Sequence, residues 1–314
     1  MTKPHLLLIA ALPPWFHQEL EQRFEVHGPF EGAAAEAFWA GQGAQVRAVV
    51  TTGSHGVANA VLDALPGLEI VSAYGVGVDQ IDLPHAKARG VTVTNTPDVL
   101  TDDVADLAIA LTLAVQRRIA ANDRFVRDGR WESGERVPLG RKVSGSRVGI
   151  LGLGRIGRAI ARRFEGFTDQ IRYHSRNPVE GAPYPYEASA ESLAAYADIL
   201  VVATSGGPEA RRLVDAEVLA ALGAQGVLIN ISRGAVVDQD ALVSALAEGK
   251  LAGAGLDVFE DEPNTPHALW AMEQVVLQPH QGSATEETRR AMGERVLQNL
   301  DAWLAGREPP DRVV

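Results

Sequence analysis

Three short segments late in the chain place polar side chains at the ends of apolar runs. Arg233 follows GVLINI, Asp257, Glu260, Asp261 and Glu262 lie in or after AGLDVF, and His280 follows QVVLQ and Pro279. A guanidinium, a carboxylate and an imidazole are the set needed to reduce a 2-oxo acid. Arg233 can grip an anionic substrate through paired hydrogen bonds, supplying a local cation on a chain that is acidic overall. An imidazole such as that of His280 can give a proton to the incipient alkoxide, then take it back in the reverse direction. Glu262, bonded to the other ring nitrogen, would favour the protonated imidazole and fix its orientation. No nucleophile is required. Ligands of open parallel sheets bind at the strand carboxyl ends, so the three segments are predicted to converge on one cleft.

The hydride source is predicted from GLGRIG, where Gly152, Gly154 and Gly157 match G-x-G-x-x-G between the strand RVGIL and a helix starting near Arg155. The first glycine permits a tight turn, the second lets a pyrophosphate approach the backbone, and the third lets helix pack on strand. Amides at the helix N-terminus then face the phosphates. The next strand runs into IRYHSRNP, and no acid occurs from Ile171 to Pro178 to bind the ribose hydroxyls. An aspartate there would repel a 2′-phosphate, whereas Ser175 and Arg176 can both donate to it. Arg176 is therefore expected to hold the 2′-phosphate of NADP, with His174 beside it.

These segments need a scaffold that puts strand ends side by side. Apolar runs recur between helical stretches: HLLLIA, RAVVT, EIVS and VTVT, then RVGILGL, IRYH, DILVVA, GVLINI, AGLD and QVVLQ. That rhythm predicts βαβ units and an α/β fold of two doubly wound, Rossmann-like domains with parallel sheets. TPDVLTDDVADLAIALTLAVQRRI marks a boundary. Thr101 can cap a helix with Asp102 and Asp103 in its first turn and two arginines in its last. Being apolar on most faces, this helix is expected between domains or in a subunit interface. The final helix, TEETRRAMGERVLQNLDAWLAG, is expected to return to the first domain. The predicted domains are 1–98 with 285–314 for the substrate and 99–284 for the dinucleotide.

Composition bounds the reading. The 314 residues are 46% hydrophobic and 22% charged, enough for two domains with large cores. There is no cysteine, which excludes cystine frameworks, cysteine nucleophiles and thiolate metal sites, and makes a cytoplasmic enzyme the expectation. LLLIAAL near the start is too short to span a bilayer and reads as a strand. With 29 basic and 40 acidic side chains, a net charge of −11 argues against nucleic-acid and membrane partners. The arginine pairs at 117–118, 162–163 and 289–290 are expected on helices. Nothing in the pattern calls for a metal.

SAYGVGVDQID, NTPDVLTDDVADLA, VGILGLGRIGRAIA, LINISRGAVVD, GLDVFEDEP and PHQGSATEETR together resemble the D-2-hydroxyacid dehydrogenase family over nearly the whole chain. The resemblance implies two similar α/β domains, the substrate domain discontinuous, and a homodimer. It maps the family's catalytic Arg, Glu and His onto Arg233, Glu262 and His280, and so selects Glu262 from its acidic cluster. It further implies that the amides of Val76 and Gly77 hold the substrate carboxylate, and that Asp257 lies on the nicotinamide side. Arg155, Ile156, Ile231 and Gly282 fall on the cofactor surface, with Thr101 and Ser205 as further cofactor candidates and Ser54 as a substrate candidate. Within the family, NTPDVLTDDVADLA and YHSRN look closest to reductases of hydroxypyruvate, glyoxylate and hydroxyphenylpyruvate that use NADPH. Gln281 stands where many relatives carry a small or apolar residue. The chain's end at Val314 speaks against the larger phosphoglycerate dehydrogenases.

The expected activity is reduction of a small 2-oxo acid to the D-2-hydroxy acid, with NADP(H) preferred over NAD(H). Two alternatives remain at this point: an NAD-dependent dehydrogenase of another 2-hydroxy acid, and a non-catalytic protein that senses the nicotinamide pool. The TTGSHG loop and the segment from Trp131 to Leu139 are expected to contribute to the substrate pocket.

Overall fold

The computed structural model describes residues 3–314. The chain divides into two compact units, one made of the residues up to Leu100 together with Ala284–Val314, the other of Thr101–Ser283.

The first unit begins with β1 (His5–Leu8), α1 (Pro14–Arg23), β2 (Glu25–His27), α2 (Gly32–Gln42) and β3 (Val46–Thr52). It continues through α3 (Asn59–Ala64), β4 (Ile70–Tyr74), α4 (Leu83–Ala88) and β5 (Thr92–Thr94). The strands form a parallel sheet in the order β2-β1-β3-β4-β5. Helices cover the sheet, so its inner strands are buried on both faces and read in the sequence as unbroken apolar runs. β2 has no such run. It is an edge strand of three residues with Glu25 exposed, and the sequence pattern missed it.

The second unit starts with α5 (Thr101–Gln116), α6 (Ile119–Arg127), β6 (Val148–Leu151), α7 (Arg155–Phe164) and β7 (Ile171–His174). Then come α8 (Ala190–Tyr196), β8 (Ile199–Val202), α9 (Ala216–Leu222), β9 (Val227–Asn230), α10 (Gln239–Ala247), β10 (Gly253–Leu256) and β11 (Val275–Leu277). Its parallel sheet has the order β11-β10-β9-β8-β6-β7. The first strand of this sheet in the chain, β6, lies between β7 and β8, so the winding reverses beside it and a ligand crevice opens at its carboxyl end.

The last helix, α11 (Glu286–Leu304), belongs to the first unit. The Tyr74 hydroxyl donates to the Arg289 carbonyl at 2.6 Å, and Arg23 on α1 pairs with Asp301 at 2.8 Å. The chain end is pinned by a reciprocal pair: the Asp311 amide donates to Asn299 at 3.0 Å, and the Asn299 side chain donates to Asp311 at 3.1 Å.

The apolar helix α5 differs from the expectation in two respects. Thr101 is its first helical residue rather than the one before it, and the helix stops at Gln116, before the two arginines. Arg118 turns away with φ of 53° and pairs with Glu273 at 2.7 Å. The buried face of α5, Val104, Ala105, Ala108, Leu111 and Val115, is covered within the second unit by α7, β9 and β10. Glycines make the close approach possible: a Cβ on Gly255 of β10 would sit 3.0 Å from the Cβ of Leu111. Much of this face is therefore packed within its own unit.

Candidate active site

The glycine loop joins β6 to α7. Gly152 has φ of 99°, a backbone that L side chains rarely adopt, and its amide donates to the His174 carbonyl at 2.7 Å. Gly157 makes the tightest contact, since a Cβ there would lie 1.9 Å from the Gly152 carbonyl oxygen. At Gly154 the reverse holds: a Cβ would meet nothing within 4 Å. That open space is what a pyrophosphate needs. Gly154 caps α7 without a side-chain bond, so the helix presents its first amides, around Arg155 and Ile156, to a ligand. Gly157, Ile160, Ala161 and Phe164 form the buried stripe that seats the helix. The chain therefore fits a dinucleotide at this loop. Gly157→Ala is expected to destabilise the second unit by about 1–3 kcal/mol, since overpacking against backbone has no flexible partner to yield. A thermal melt and an NADPH titration both identical to wild type would refute this.

At the end of β7 the Ser175 hydroxyl accepts from the Leu153 amide at 2.9 Å and retains its own proton to donate. His174 binds the Glu187 carbonyl through Nδ1 at 2.8 Å and stacks on Tyr186. Arg176 is exposed and contacts an acid that the local sequence did not show, Glu209 from the loop after β8, at 2.7 Å. Ile231 is buried, with its amide bonded to the Val202 carbonyl at 3.3 Å, and Ser205 is exposed.

β9, β10 and β11 are neighbours in the sheet, and their ends bring Arg233, Glu262 and His280 together. His280 Nδ1 lies 2.7 Å from Glu262 Oε2, while Glu262 Oε1 accepts from the Phe259 amide at 3.0 Å. Burial pushes the Glu262 carboxyl up. The hydrogen bond and charge of His280, the Phe259 amide and the Arg233 charge together outweigh it and hold the group below its ordinary value. The other acids of the cluster face elsewhere: Glu260 pairs with Arg211 at 3.1 Å, and Asp261 accepts from Asn264 at 3.1 Å. The Arg233 loop and the Phe259–Glu260 backbone are in direct contact, since a Cβ on Gly234 would fall 1.9 Å from the Phe259 carbonyl carbon.

Two braces around these side chains were not read from the sequence. Asn230, 1% exposed, accepts from the Ser232 amide at 3.0 Å and hydroxyl at 2.8 Å, and donates to the Arg233 carbonyl at 3.1 Å. The pattern N-x-S-R after a buried strand is the signal for it. Asp257, also 1% exposed, accepts from the Gln281 amide at 2.6 Å and the Gly282 amide at 2.8 Å, while its carbonyl takes the His280 amide at 2.8 Å. Asp257 thus clamps the His280 turn, in which His280 itself has φ of 55°, a costly conformation for a non-glycine residue. Burial holds the Asp257 carboxyl above its ordinary value, although the two amides and the His280 charge oppose the shift.

In the first unit, Val76 and Gly77 follow β4, and the Val76 carbonyl accepts from Asn95 at 2.8 Å. Ser54 is exposed in the loop after β3, 3.2 Å from the Thr52 hydroxyl. Trp131 and Leu139 are 70% and 96% exposed, and the residues between them are exposed as well.

Residues 109–282 match the D-isomer specific 2-hydroxyacid dehydrogenase, NAD binding domain. The chain belongs to this family. It is therefore a nicotinamide-dependent oxidoreductase of 2-hydroxy acids, and its two parallel-sheet α/β units are those of 2-hydroxyacid dehydrogenase structures. Family relatives include hydroxyphenylpyruvate reductase of Plectranthus scutellarioides, 50% identical over 96% of each chain. Glyoxylate/hydroxypyruvate reductase A of Arabidopsis thaliana is 47% identical over 96% of each chain. Among solved family structures, the NADPH-dependent glyoxylate/hydroxypyruvate reductase of Sinorhizobium meliloti, in complex with NADP and malonate, has a TM-score of 0.94 and 43% identity. The match covers 100% of this chain and 97% of that one. No helix among the described residues is long and apolar enough to cross a membrane.

Proposed function

We propose that this dehydrogenase is an NADPH-dependent reductase that converts hydroxypyruvate or glyoxylate to the D-2-hydroxy acid, with hydroxyphenylpyruvate as the aromatic alternative. The observation that carries the reading is the His280–Glu262 pair beside Arg233, at the ends of adjacent strands. Reduced nicotinamide, when bound, supplies the hydride that the keto carbon receives. His280 holds Glu262 through Nδ1, which leaves Nε2 to donate the proton to the forming alkoxide. Glu262, kept ionised, stabilises the imidazolium before transfer and fixes the ring. Arg233 binds the acid and polarises the carbonyl, drawing charge toward the oxygen that His280 protonates. In the first unit, Val76 and Gly77 amides are assigned to the substrate carboxylate, with Ser54 as a further substrate-binding residue. Gly282, Asp257, Ile231, Thr101 and Ser205 are assigned to the cofactor side of the second unit. The unit of residues up to Leu100 with Ala284–Val314, close to the predicted 1–98 with 285–314, is assigned as the substrate domain, and Thr101–Ser283 as the dinucleotide domain.

NADPH preference rests on the acid-free end of β7, where Ser175 and Arg176 stand. Arg176 reaches Glu209, yet an exposed ion pair is worth at most about 1 kcal/mol, less than the roughly 1.5–3 kcal/mol of a charged hydrogen bond to a phosphate. The 2′-phosphate is therefore expected to displace Glu209. Initial rates with hydroxypyruvate should favour NADPH over NADH, and Arg176→Ala should raise the KM for NADPH about tenfold or more while leaving that for NADH nearly unchanged. Equal rates with both cofactors in the wild type would end the NADPH reading but keep the reductase. No turnover with hydroxypyruvate, glyoxylate or hydroxyphenylpyruvate would end the reductase reading and favour a dinucleotide-sensing role.

The same reading makes the protein a cytoplasmic homodimer. Ile119, Val126, Trp131, Val137 and Leu139 are all exposed apolar side chains along one stretch of the second unit, which supports self-association.

A further inference from the structure

Away from every residue assigned above, the edge of the first sheet gathers two imidazoles and a carboxylate. The parallel ladder pairs His5 with Glu25 and Leu7 with His27. Residues two apart on a strand share a face, so Glu25 and His27 face the same way, and His5, opposite Glu25, joins them. His5 Nδ1 and His27 Nε2 meet at 2.9 Å, with the rings inclined by only 21°. Glu25 reaches both, 3.4 Å from His5 Nε2 and 3.9 Å from His27 Nε2. Among the described residues this is the only group of three or more His, Asp or Glu side chains whose donor atoms come within 4.8 Å of one another.

We propose that His5, Glu25 and His27 form a binding site for a borderline transition-metal dication, zinc foremost. Imidazole nitrogens and a carboxylate oxygen are the donors such ions prefer, and a tetrahedral ion with bonds of about 2.0–2.1 Å separates its donors by roughly 3.3 Å. Reaching that spacing takes an opening of about 0.4 Å and a turn of the rings so that both lone pairs meet at the ion. A proton now joins them, and the cation takes its place between two lone pairs. The histidine side chains are 19% and 13% exposed against 58% for Glu25, so the ion is approached from the carboxylate side, where water completes its coordination. Phe38 packs on His27 with ring centres 4.9 Å apart, and Phe30 packs on Phe38 at 4.8 Å, an aromatic wall that limits ring rotation. Bridging β1 to β2, the ion ties down a three-residue edge strand. This role is structural, and the reduction chemistry does not pass through it.

The test is titration of the full chain with zinc chloride, followed by calorimetry and thermal melting, with cobalt chloride as an optical substitute. The wild type should bind one equivalent tightly, give the visible absorption of tetrahedral cobalt, and melt at a higher temperature until a chelator is added. His5→Gln and His27→Gln should each weaken that binding at least tenfold and abolish the melting shift. Glu25→Gln, at an exposed side chain, should weaken binding without disturbing the fold. Hydroxypyruvate reduction in chelator-treated protein should be equal in all four. Absence of tight binding in the wild type, or retention of it in either histidine variant, would overturn the site. Retention would instead mark another histidine, such as His280, as the ligand.

Discussion

Replacing His280 by alanine is expected to lower kcat for 2-oxo acid reduction by about 10²–10⁴-fold, the usual contribution of a positioned general acid. The effect belongs to the chemical step. Nδ1 is held by Glu262 at 2.7 Å, so Nε2 is the atom that meets the alkoxide, and no second imidazole lies on the neighbouring strand ends. NADPH binding should be nearly unchanged, because the glycine loop and the β7 end lie on other strands of the sheet. The check pairs steady-state turnover with a fluorescence titration of NADPH. Glu262→Gln should cause a smaller loss, since it keeps an acceptor for the imidazole but removes the charge that favours the imidazolium. A His280→Ala enzyme that turns over at the wild-type rate would remove His280 as the proton donor.

Arg233→Ala should reduce kcat/KM for the 2-oxo acid by about 10²-fold or more, the equivalent of one or two charge-assisted hydrogen bonds worth roughly 1.5–3 kcal/mol each. Both parameters should move. Loss of the grip on the carboxylate raises KM, and loss of carbonyl polarisation lowers kcat. A second consequence follows from the Arg233 charge, which is one of the influences holding Glu262 ionised, so its removal raises the Glu262 pKa. Arg233→Lys retains that charge but not the planar fork, and should recover part of kcat and little of KM. Kinetics with glyoxylate and hydroxypyruvate distinguish these outcomes. A variant impaired only in NADPH binding would move Arg233 from the substrate to the cofactor.

Much of the candidate site was legible because a parallel sheet converts sequence order into spatial order. Arg233, Glu262 and His280 each follow a buried run, and runs that become adjacent strands deliver their next residues to one edge. Which acid of FEDEP meets His280 was not legible from spacing. The family resemblance selected Glu262, and the structure shows Glu260 turned to Arg211 and Asp261 to Asn264. Asp257 is assigned to the cofactor side, and the structure adds a role the sequence does not show: both its oxygens hold backbone amides of the His280 turn.

The alternation of strand and helix, the glycine loop and the missing acid after β7 are all legible in the sequence alone. Each is written in a local pattern of apolar periodicity or backbone freedom that needs no distant partner. What depends on segments far apart in the chain emerges from packing. Glu209 reaches Arg176 across two strand ends, β10 glycines draw the apolar face of α5 inside its own unit, and the short β2 places Glu25 and His27 beside His5. The physical reason is the same in each case. Close approach is set by sheet order and packing, and neither composition nor spacing records which side chains the fold will bring within hydrogen-bond range.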